Sequence, residues 1–317
     1  MSSPRIVFYG TPEIARESLK ALVEGGYQVA AVVTAPDKPA GRGMKLRASS
    51  VKQYALDQRL TVLQPERMKD PEFLERLSDL KPDIQVVVAF RMIPRQVWAL
   101  PRLGTFNLHA SLLPQYRGAA PINWAVINGE SETGLTTFFL QDKIDTGEII
   151  FREKLPVGPE ETAGQLHDRM KVLGAALVLK TIDSIIAGDI RPVDQQGLID
   201  PAVPLKPAPR IFTDTCRIDW TQPSAVIYNK IRGLSPAPAA FTEITLRDGT
   251  TAIMKIFRAG VENKVTSATP GSVLSDGHSF LKIAASDGEI NIYELQLAGR
   301  KPMKTEDFLR GFGRNMV

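Results

Sequence analysis

The chain has 317 residues, 43% of them hydrophobic and 23% charged, so it can bury the cores of two globular domains. Its one cysteine, Cys216, excludes an intramolecular disulfide. No apolar run approaches the roughly 18 residues of a membrane span, and no secretory signal is recognisable, so we expect a cytoplasmic protein without membrane contact. The net charge is +4 and the excess lies in residues 201–317, which hold 15 Lys or Arg against 11 Asp or Glu. A mildly basic C-terminal part suggests a polyanionic partner.

The first 190 residues alternate short apolar runs with helical patterns. Strands are predicted at Arg5–Tyr9, Gln28–Thr34, Thr61–Leu63, Ile84–Ala89 and Gly104–His109, and helices after Pro12, at Asp70–Leu80, from Pro121 and at Thr162–Ala187. Thr162 is the expected N-cap of the last helix, and Gly188 ends it. This order predicts an α/β fold with a doubly wound, mostly parallel, Rossmann-like sheet, whose ligand site lies beyond the carboxyl ends of the strands.

The turn after the first strand does not fit a dinucleotide site. The segment Gly10–Ala15 has one glycine, followed by a proline, where the fingerprint needs G-x-G-x-x-G. The sequence therefore argues against a nicotinamide or flavin enzyme.

The C-terminal third has a different texture. Five prolines within residues 190–209 predict a semi-rigid linker between domains 1–189 and 210–317. Five strands, punctuated by Asp-Gly turns, are predicted at Phe241–Leu246, Thr251–Phe257, Gly271–Leu274, Phe280–Ala284 and Glu289–Leu297. Short strands with polar turns are typical of a small β-barrel of the oligonucleotide/oligosaccharide-binding (OB-like) kind.

The segment Asn107–Pro121 concentrates the candidate chemistry. It begins as a buried strand, and its period-two alternation turns Asn107 and His109 to the same side. An amide and an imidazole at a strand end can stabilise a developing oxyanion. Asp145 adds a carboxylate in a turn-prone setting, although Asp142 could fill the same role by sequence alone. These groups suggest acyl transfer without a metal or a covalent nucleophile.

A glycine-containing basic loop follows the second strand. Residues 37–47 carry four basic side chains against one acid, with two glycines and a proline. The composition predicts a loop that packs no core and is mobile when unbound. Its charge suggests that it orders against phosphates or a splayed nucleic-acid end, with Arg42 as the candidate wedge beside Lys38 and Lys45.

Motifs along nearly the whole chain resemble those of the methionyl-tRNA formyltransferases, in order and in spacing. They are Gly10-Thr-Pro12, Thr34–Gly43, Asn107–Pro121, Asp145-Thr-Gly147, Arg217–Trp220 and Ile231–Pro236. The resemblance implies transfer of the formyl group of 10-formyltetrahydrofolate to the α-amino group of methionine on initiator tRNA. As already expected from the candidate groups and the hydropathy, no metal and no membrane are involved, and no obligate protein partner is implied.

The resemblance also assigns roles to single residues. It implies that Asn107, His109 and Asp145 are the catalytic trio and that Arg42, with Lys38 and Lys45, lies in the loop that contacts tRNA. The loop expected to hold the folate donor is Ser111, Leu112, Leu113 and Pro114. The role of Arg117 stays open between shaping the turn and assisting the donor.

Two positions depart from the pattern of the family. Arg91 stands where the family usually has glycine, and Ala237 where it usually has tryptophan.

Two alternative functions stay open. The same trio would serve another 10-formyltetrahydrofolate enzyme, such as a sugar-nucleotide N-formyltransferase or the hydrolase domain of formyltetrahydrofolate dehydrogenase. A non-catalytic RNA-binding protein would leave the trio unexplained.

Overall fold

The computed structural model describes residues 3–40, 45–245, 249–262 and 267–312. The chain forms two compact units that alternate along the sequence. Unit 1 comprises Met1–Gly118, Thr133–Leu155 and His167–Pro207, and unit 2 comprises Ala119–Glu132, Pro156–Leu166 and Ala208–Val317. The linear boundaries expected from the sequence, with a linker at 190–209, stay a prediction.

The helices and strands follow the order expected of an α/β protein with a β-rich C-terminal part. In the first 187 residues they are β1 (Arg5–Gly10), α1 (Glu13–Glu24), β2 (Gln28–Val33), β3 (Lys38–Ala40), β4 (Lys45–Arg47), α2 (Ser50–Asp57), β5 (Val62–Leu63), α3 (Pro71–Asp79), β6 (Ile84–Val88), α4 (Arg95–Trp98), β7 (Thr105–His109), α5 (Pro121–Ile127), β8 (Glu132–Phe139), β9 (Ile149–Pro156) and α6 (Ala163–Ala187). After a short 3-10 turn (Gln195–Leu198) come α7 (Thr213–Cys216), α8 (Ser224–Leu234), β10 (Ala240–Thr245), β11 (Thr251–Glu262), β12 (Val273–Ser275), β13 (Leu281–Ala284), β14 (Glu289–Leu297), β15 (Met303–Lys304) and α9 (Thr305–Phe312). None of the described helices combines the length and apolar character that crossing a bilayer requires.

Side-chain hydrogen bonds begin helix α6, and a glycine ends it. The Thr162 hydroxyl accepts the backbone N–H of Gln165 at 3.2 Å, and the Gln165 side chain accepts the backbone N–H of Thr162 at 2.9 Å. This reciprocal capping box satisfies two amide groups that a helix start otherwise leaves unpaired. Gly188 follows the helix at φ +71°, a conformation that favours glycine. Both predicted helix ends are therefore confirmed.

The sheet of unit 1 has the strand order β5-β2-β1-β6-β7-β8-β9. The strands from β5 to β7 pair in parallel, and β8 pairs antiparallel with β7. The predicted, mostly parallel sheet is confirmed, but β8 and β9 were not predicted. The run Leu135–Leu140, rich in threonine and phenylalanine, carries the strand signal that would have revealed β8. A buried apolar cluster joins β1, β2, β5, β6 and α3.

The basic segment at residues 37–47, predicted as a loop that packs no core, contains regular backbone pairing that the sequence analysis did not predict. The described residues on either side of 41–44 pair as antiparallel strands β3 and β4, with Lys38 opposite Arg47 and Ala40 opposite Lys45. The hairpin forms because backbone groups can pair without an apolar core. Composition alone does not reveal such pairing.

The sheet of unit 2 is an antiparallel half-barrel. Its strand order is β10-β11-β14-β13-β12, with β15 beside β14. All five predicted strands are present, and within the described residues no ladder joins the edge strands β10 and β12. The sequence reading omitted α8, although Ile227, Ile231 and Leu234 recur at helical spacing and are buried. They join the apolar core between this sheet and α9.

Candidate active site

The predicted amide and imidazole lie at the carboxyl end of β7, in the middle of the unit 1 sheet. Asn107 is placed between Val87 of β6 and Phe138 of β8, and His109 lies opposite Thr136. His109 is 6% exposed, whereas Asn107 is half-buried. The Asn107 side chain makes no hydrogen bond to any described residue. Its two donors and one acceptor are therefore available to a ligand.

One nitrogen of His109 is committed to the protein. Nε2 lies 2.9 Å from the carbonyl oxygen of Tyr116. Because a carbonyl can only accept, Nε2 carries the proton and donates it. Nδ1 faces the Asp145 carboxylate, with 4.0 Å to Oδ2. Nδ1 is thus the ring nitrogen that is not committed to a backbone carbonyl, and it faces the carboxylate.

The carboxylate that the fold brings to His109 is Asp145, not Asp142. The Asp145 side chain is 14% exposed, and its Oδ2 accepts the backbone N–H of Gly118 at 3.0 Å. Asp142 is 67% exposed and lies 3.7 Å from Arg95. Among the described residues, no three His, Cys, Asp or Glu side chains form a group that could hold a metal ion.

A buried glutamine that sequence reasoning missed lies behind Asp145. Gln195 comes from the proline-rich segment and is fully buried. Its Oε1 accepts Nη2 and Nε of Arg117 at 2.6 and 3.2 Å, and its Nε2 donates to the carbonyls of Asp145 and Gly147. Burial lowers the pKa of the Arg117 guanidinium, and the charge of Asp145 opposes this effect. The available signal was Asp194, whose side chain caps the 3-10 turn by accepting the backbone N–H of residue 196.

The loop assigned to the folate donor is fixed against β8. Thr136 holds it from both sides, because its hydroxyl donates to the carbonyl of Ser111 at 2.6 Å and accepts the N–H of Leu113 at 3.1 Å. The Ser111 hydroxyl donates to the carbonyl of residue 115, and Leu113 and Pro114 are buried. Leu112 packs so closely on strand β8 that a Cβ at Gly134 would lie 2.5 Å from it. These contacts hold the loop, which follows His109 in the chain, firmly against strand β8.

The basic hairpin is described only in part. Lys38 is exposed in β3, whereas Arg42 and the side chain of Lys45 lie outside the described residues. The hairpin base is anchored by Asp37, which accepts Lys52 Nζ at 2.6 Å and Gln64 Nε2 at 2.9 Å. Hydrogen bonding to Lys52, and then to Gln64, lowers the pKa of the Asp37 carboxyl.

The two departures from the family pattern lie in different settings. Arg91 Nη1 donates to the carbonyl of Glu66 at 2.8 Å, and Nη2 donates to the carbonyl of Pro65. It therefore ties the loop after β6 to the loop after β5. Ala237 is exposed in unit 2. The hydrogen bonds of Arg91 go to these two carbonyls and to no member of the trio within the described residues.

An unengaged amide and an imidazole at a strand end, with a carboxylate facing the imidazole, form an arrangement that can support acyl transfer. Comparison with known proteins gives the class: residues 4–182 match the formyl transferase family, and residues 210–313 match its C-terminal domain.

Similarity to individual relatives covers nearly the whole chain. The chain is 54% identical to methionyl-tRNA formyltransferase of Bacteroides fragilis over 308 residues, which is 97% of this chain and 95% of the relative. It is 48% identical to the enzyme of that name from Azobacteroides pseudotrichonymphae over 312 residues, 98% of this chain and 96% of the relative. The chain thus belongs to the formyl transferase family, among its methionyl-tRNA formyltransferases.

A solved structure shares the fold. WlaRD, a sugar 3N-formyl transferase crystallised in the presence of dTDP and 5-N-formyl-THF, superimposes with a TM-score of 0.67. The match covers 95% of this chain and all of WlaRD at 20% identity, so it shows a common fold alone.

Proposed function

We propose that this protein transfers the formyl group of 10-formyltetrahydrofolate to the α-amino group of methionyl initiator tRNA, giving N-formylmethionyl-tRNA for translation initiation in the cytoplasm. One observation carries the proposal: His109 Nδ1 faces the Asp145 carboxylate at 4.0 Å, while the Asn107 amide two residues earlier is unengaged. The names of the curated relatives support the same substrate.

The trio can perform the transfer without a covalent enzyme intermediate. An α-amino group has a reference pKa of about 8, so a substantial fraction is neutral near pH 7 and can attack the formyl carbon. As the new N–C bond forms, the carbonyl electron pair moves onto oxygen. The Asn107 amide and the His109 Nδ1–H can donate to this oxyanion, and such donors contribute about 3–4 kcal/mol each.

Proton transfer completes the reaction. The attacking amine must lose a proton, and the folate nitrogen must gain one as its bond to the formyl carbon breaks. Asp145 can accept the proton, and His109, with a relaying water, can deliver it to the leaving nitrogen. The products are a formamide on the methionine and tetrahydrofolate.

The two substrates have separate candidate contacts. Support for the donor loop at Ser111, Leu112, Leu113 and Pro114 is its rigid placement beside His109. The presence of 5-N-formyl-THF with the structurally similar sugar enzyme supports a folate donor. For the tRNA acceptor end, the support is the charge of the β3–β4 segment, with Arg42, Lys38 and Lys45 as contacts.

A formyl-transfer assay tests the function. Purified protein with 10-formyltetrahydrofolate is expected to formylate methionyl initiator tRNA in preference to methionyl elongator tRNA and to a dTDP-amino sugar. Preferential formylation of the sugar would favour the nearest alternative. Binding of tRNA without transfer would favour an RNA-binding protein.

The same assay tests the tRNA contact. Arg42→Ala is expected to reduce the preference for initiator tRNA while hydrolysis of the donor persists. The exposed Arg59, changed to alanine, is the matched control. Added salt should weaken tRNA binding much more than donor binding, because phosphate contacts release counterions. Equal loss of transfer and hydrolysis in Arg42→Ala would contradict the assigned role.

A further inference from the structure

Gln195 occupies an unusual place for a buried amide. Its neighbour Gln196 is exposed, as is most of residues 190–209, whereas Gln195 is 0% exposed. Burying an amide is unfavourable unless its hydrogen bonds are made. The segment is fastened to the start of β9, where Val193 and Ile149 exchange two backbone hydrogen bonds of 2.8 and 2.9 Å.

The bonding capacity of the Gln195 side chain is fully used. Nε2 donates to the carbonyl of Asp145 at 3.0 Å and to that of Gly147 at 2.8 Å, and Oε1 accepts two N–H groups of Arg117. Carbonyls only accept and a guanidinium only donates, so the orientation of the amide is fixed by chemistry. Both N–H donors and both oxygen lone pairs of the Gln195 side chain are engaged, so it has no free hydrogen-bonding group for a substrate.

Gln195 holds two segments that meet at the Asp145 carboxylate: the turn that carries this carboxylate and the loop whose backbone N–H binds it. Asp145 has φ +53°, a left-handed conformation that is unfavourable for a residue with a side chain. Its carboxylate is oriented by the N–H of Gly118, the residue that follows Arg117. Gly147 cannot bear a side chain, because a Cβ there would lie 1.6 Å from the carbonyl oxygen of Phe139. Gln195 therefore clamps the turn that carries the carboxylate and the loop that orients it.

We infer that Gln195 is a positioning residue for formyl transfer, which sets the Asp145 carboxylate relative to His109 Nδ1. The inference rests on the proposed function for its rate measurements. Misplacement of a catalytic group by about 1 Å can reduce a rate about 100-fold. Gln195→Met, which keeps the length but removes the amide, is therefore expected to reduce kcat about 10- to 100-fold. KM for the donor should stay near its original value, and Gln196→Met is the matched control.

A double-mutant cycle separates positioning from general support of the fold. If Gln195 acts through Asp145, then Gln195→Met in an Asp145→Asn background should change kcat by no more than about twofold. An equal fold reduction in both backgrounds would overturn the inference.

Hydrogen exchange of the Gly118 amide gives a readout that needs no activity. It is expected to be faster in Gln195→Met than in Gln196→Met, because the Asp145 acceptor is no longer fixed. If the wild-type protein transfers no formyl group, the proposed function fails, and this exchange measurement still decides the positioning role. Unchanged exchange, or changed exchange with unchanged kcat in an active enzyme, would refute it.

Discussion

Buried polar side chains have different roles in the two units. In unit 1, His109 and Gln195 gather around the carboxyl end of β7 and the Asp145 turn. In unit 2, Arg232 donates to the carbonyls of Gly158 and Glu161, and Thr305 donates to the carbonyl of Ile292. These bonds of unit 2 fasten one backbone segment to another.

The difference lies in unused bonding capacity. In unit 1, the Asn107 amide has no partner among the described residues, and His109 Nδ1 stands 4.0 Å from a carboxylate. A half-buried amide whose hydrogen bonds are not made within the protein can make them with a ligand. Unit 1 is therefore expected to respond to substitution in its rates, and unit 2 in its stability.

The largest stability effect is expected in the core of unit 2. Phe308 is 0% exposed within the apolar cluster of the half-barrel. Phe308→Ala should lower the free energy of unfolding by about 3–5 kcal/mol, because it leaves a cavity. Urea unfolding followed by tryptophan fluorescence measures this loss. Phe212, which is 63% exposed, is the matched control, and its alanine variant should differ from wild type by about 0.5 kcal/mol or less. Equal effects of the two variants would contradict the described core.

The next prediction concerns the rate in unit 1. Asn107→Ala should reduce kcat about 100- to 1,000-fold, because it removes the amide that we propose as an oxyanion donor. The thermal unfolding midpoint should stay unchanged, since the side chain makes no hydrogen bond within the described structure. Steady-state formylation and calorimetry test both statements. Near-normal turnover would show that Asn107 has no part in the chemistry.

The smallest expected effect on stability concerns an aspartate that accepts the first backbone N–H of a strand or helix, an interaction found in both units. Asp83 accepts the N–H of Arg5 at the start of β1, and Asp287 accepts the N–H of Ser224 at the start of α8. These backbone hydrogen bonds are the main cause of the lowered pKa of each carboxyl; Arg102 lowers that of Asp83 further. A carboxyl with a lowered folded-state pKa stabilises the protein above its ordinary pKa, and this contribution is lost as pH falls through the folded-state value.

Asp83→Asn should therefore cost about 1 kcal/mol at pH 7 and progressively less below about pH 4. Asp287→Asn should act in the same direction and by less, because Asp287 is more exposed. Urea unfolding as a function of pH measures the difference from wild type, with the exposed Asp79→Asn as control. A difference that grows in acid would reverse the sign of the argument.

Local rules made much of the fold predictable. The α6 cap and its terminating glycine, the parallel strands of unit 1 and the five strands of unit 2 follow from patterns within a few residues. The antiparallel extension by β8 and β9 was missed, as were the pairing of β3 with β4 and the helix α8. The run that forms β8 has the composition of a strand and the run that forms α8 has a helical period, whereas β3 and β4 are too short to have either signal.

The sequence by itself determined which groups could do the chemistry, because the alternation of a strand places Asn107 and His109 on one side. Only the tertiary structure decided which carboxylate lies near His109. Asp142 and Asp145 are three residues apart, and the turn geometry sends one to solvent and the other to His109. It also brought in Gln195, fifty residues after Asp145, because a buried amide finds its partners through space and local sequence carries no trace of them.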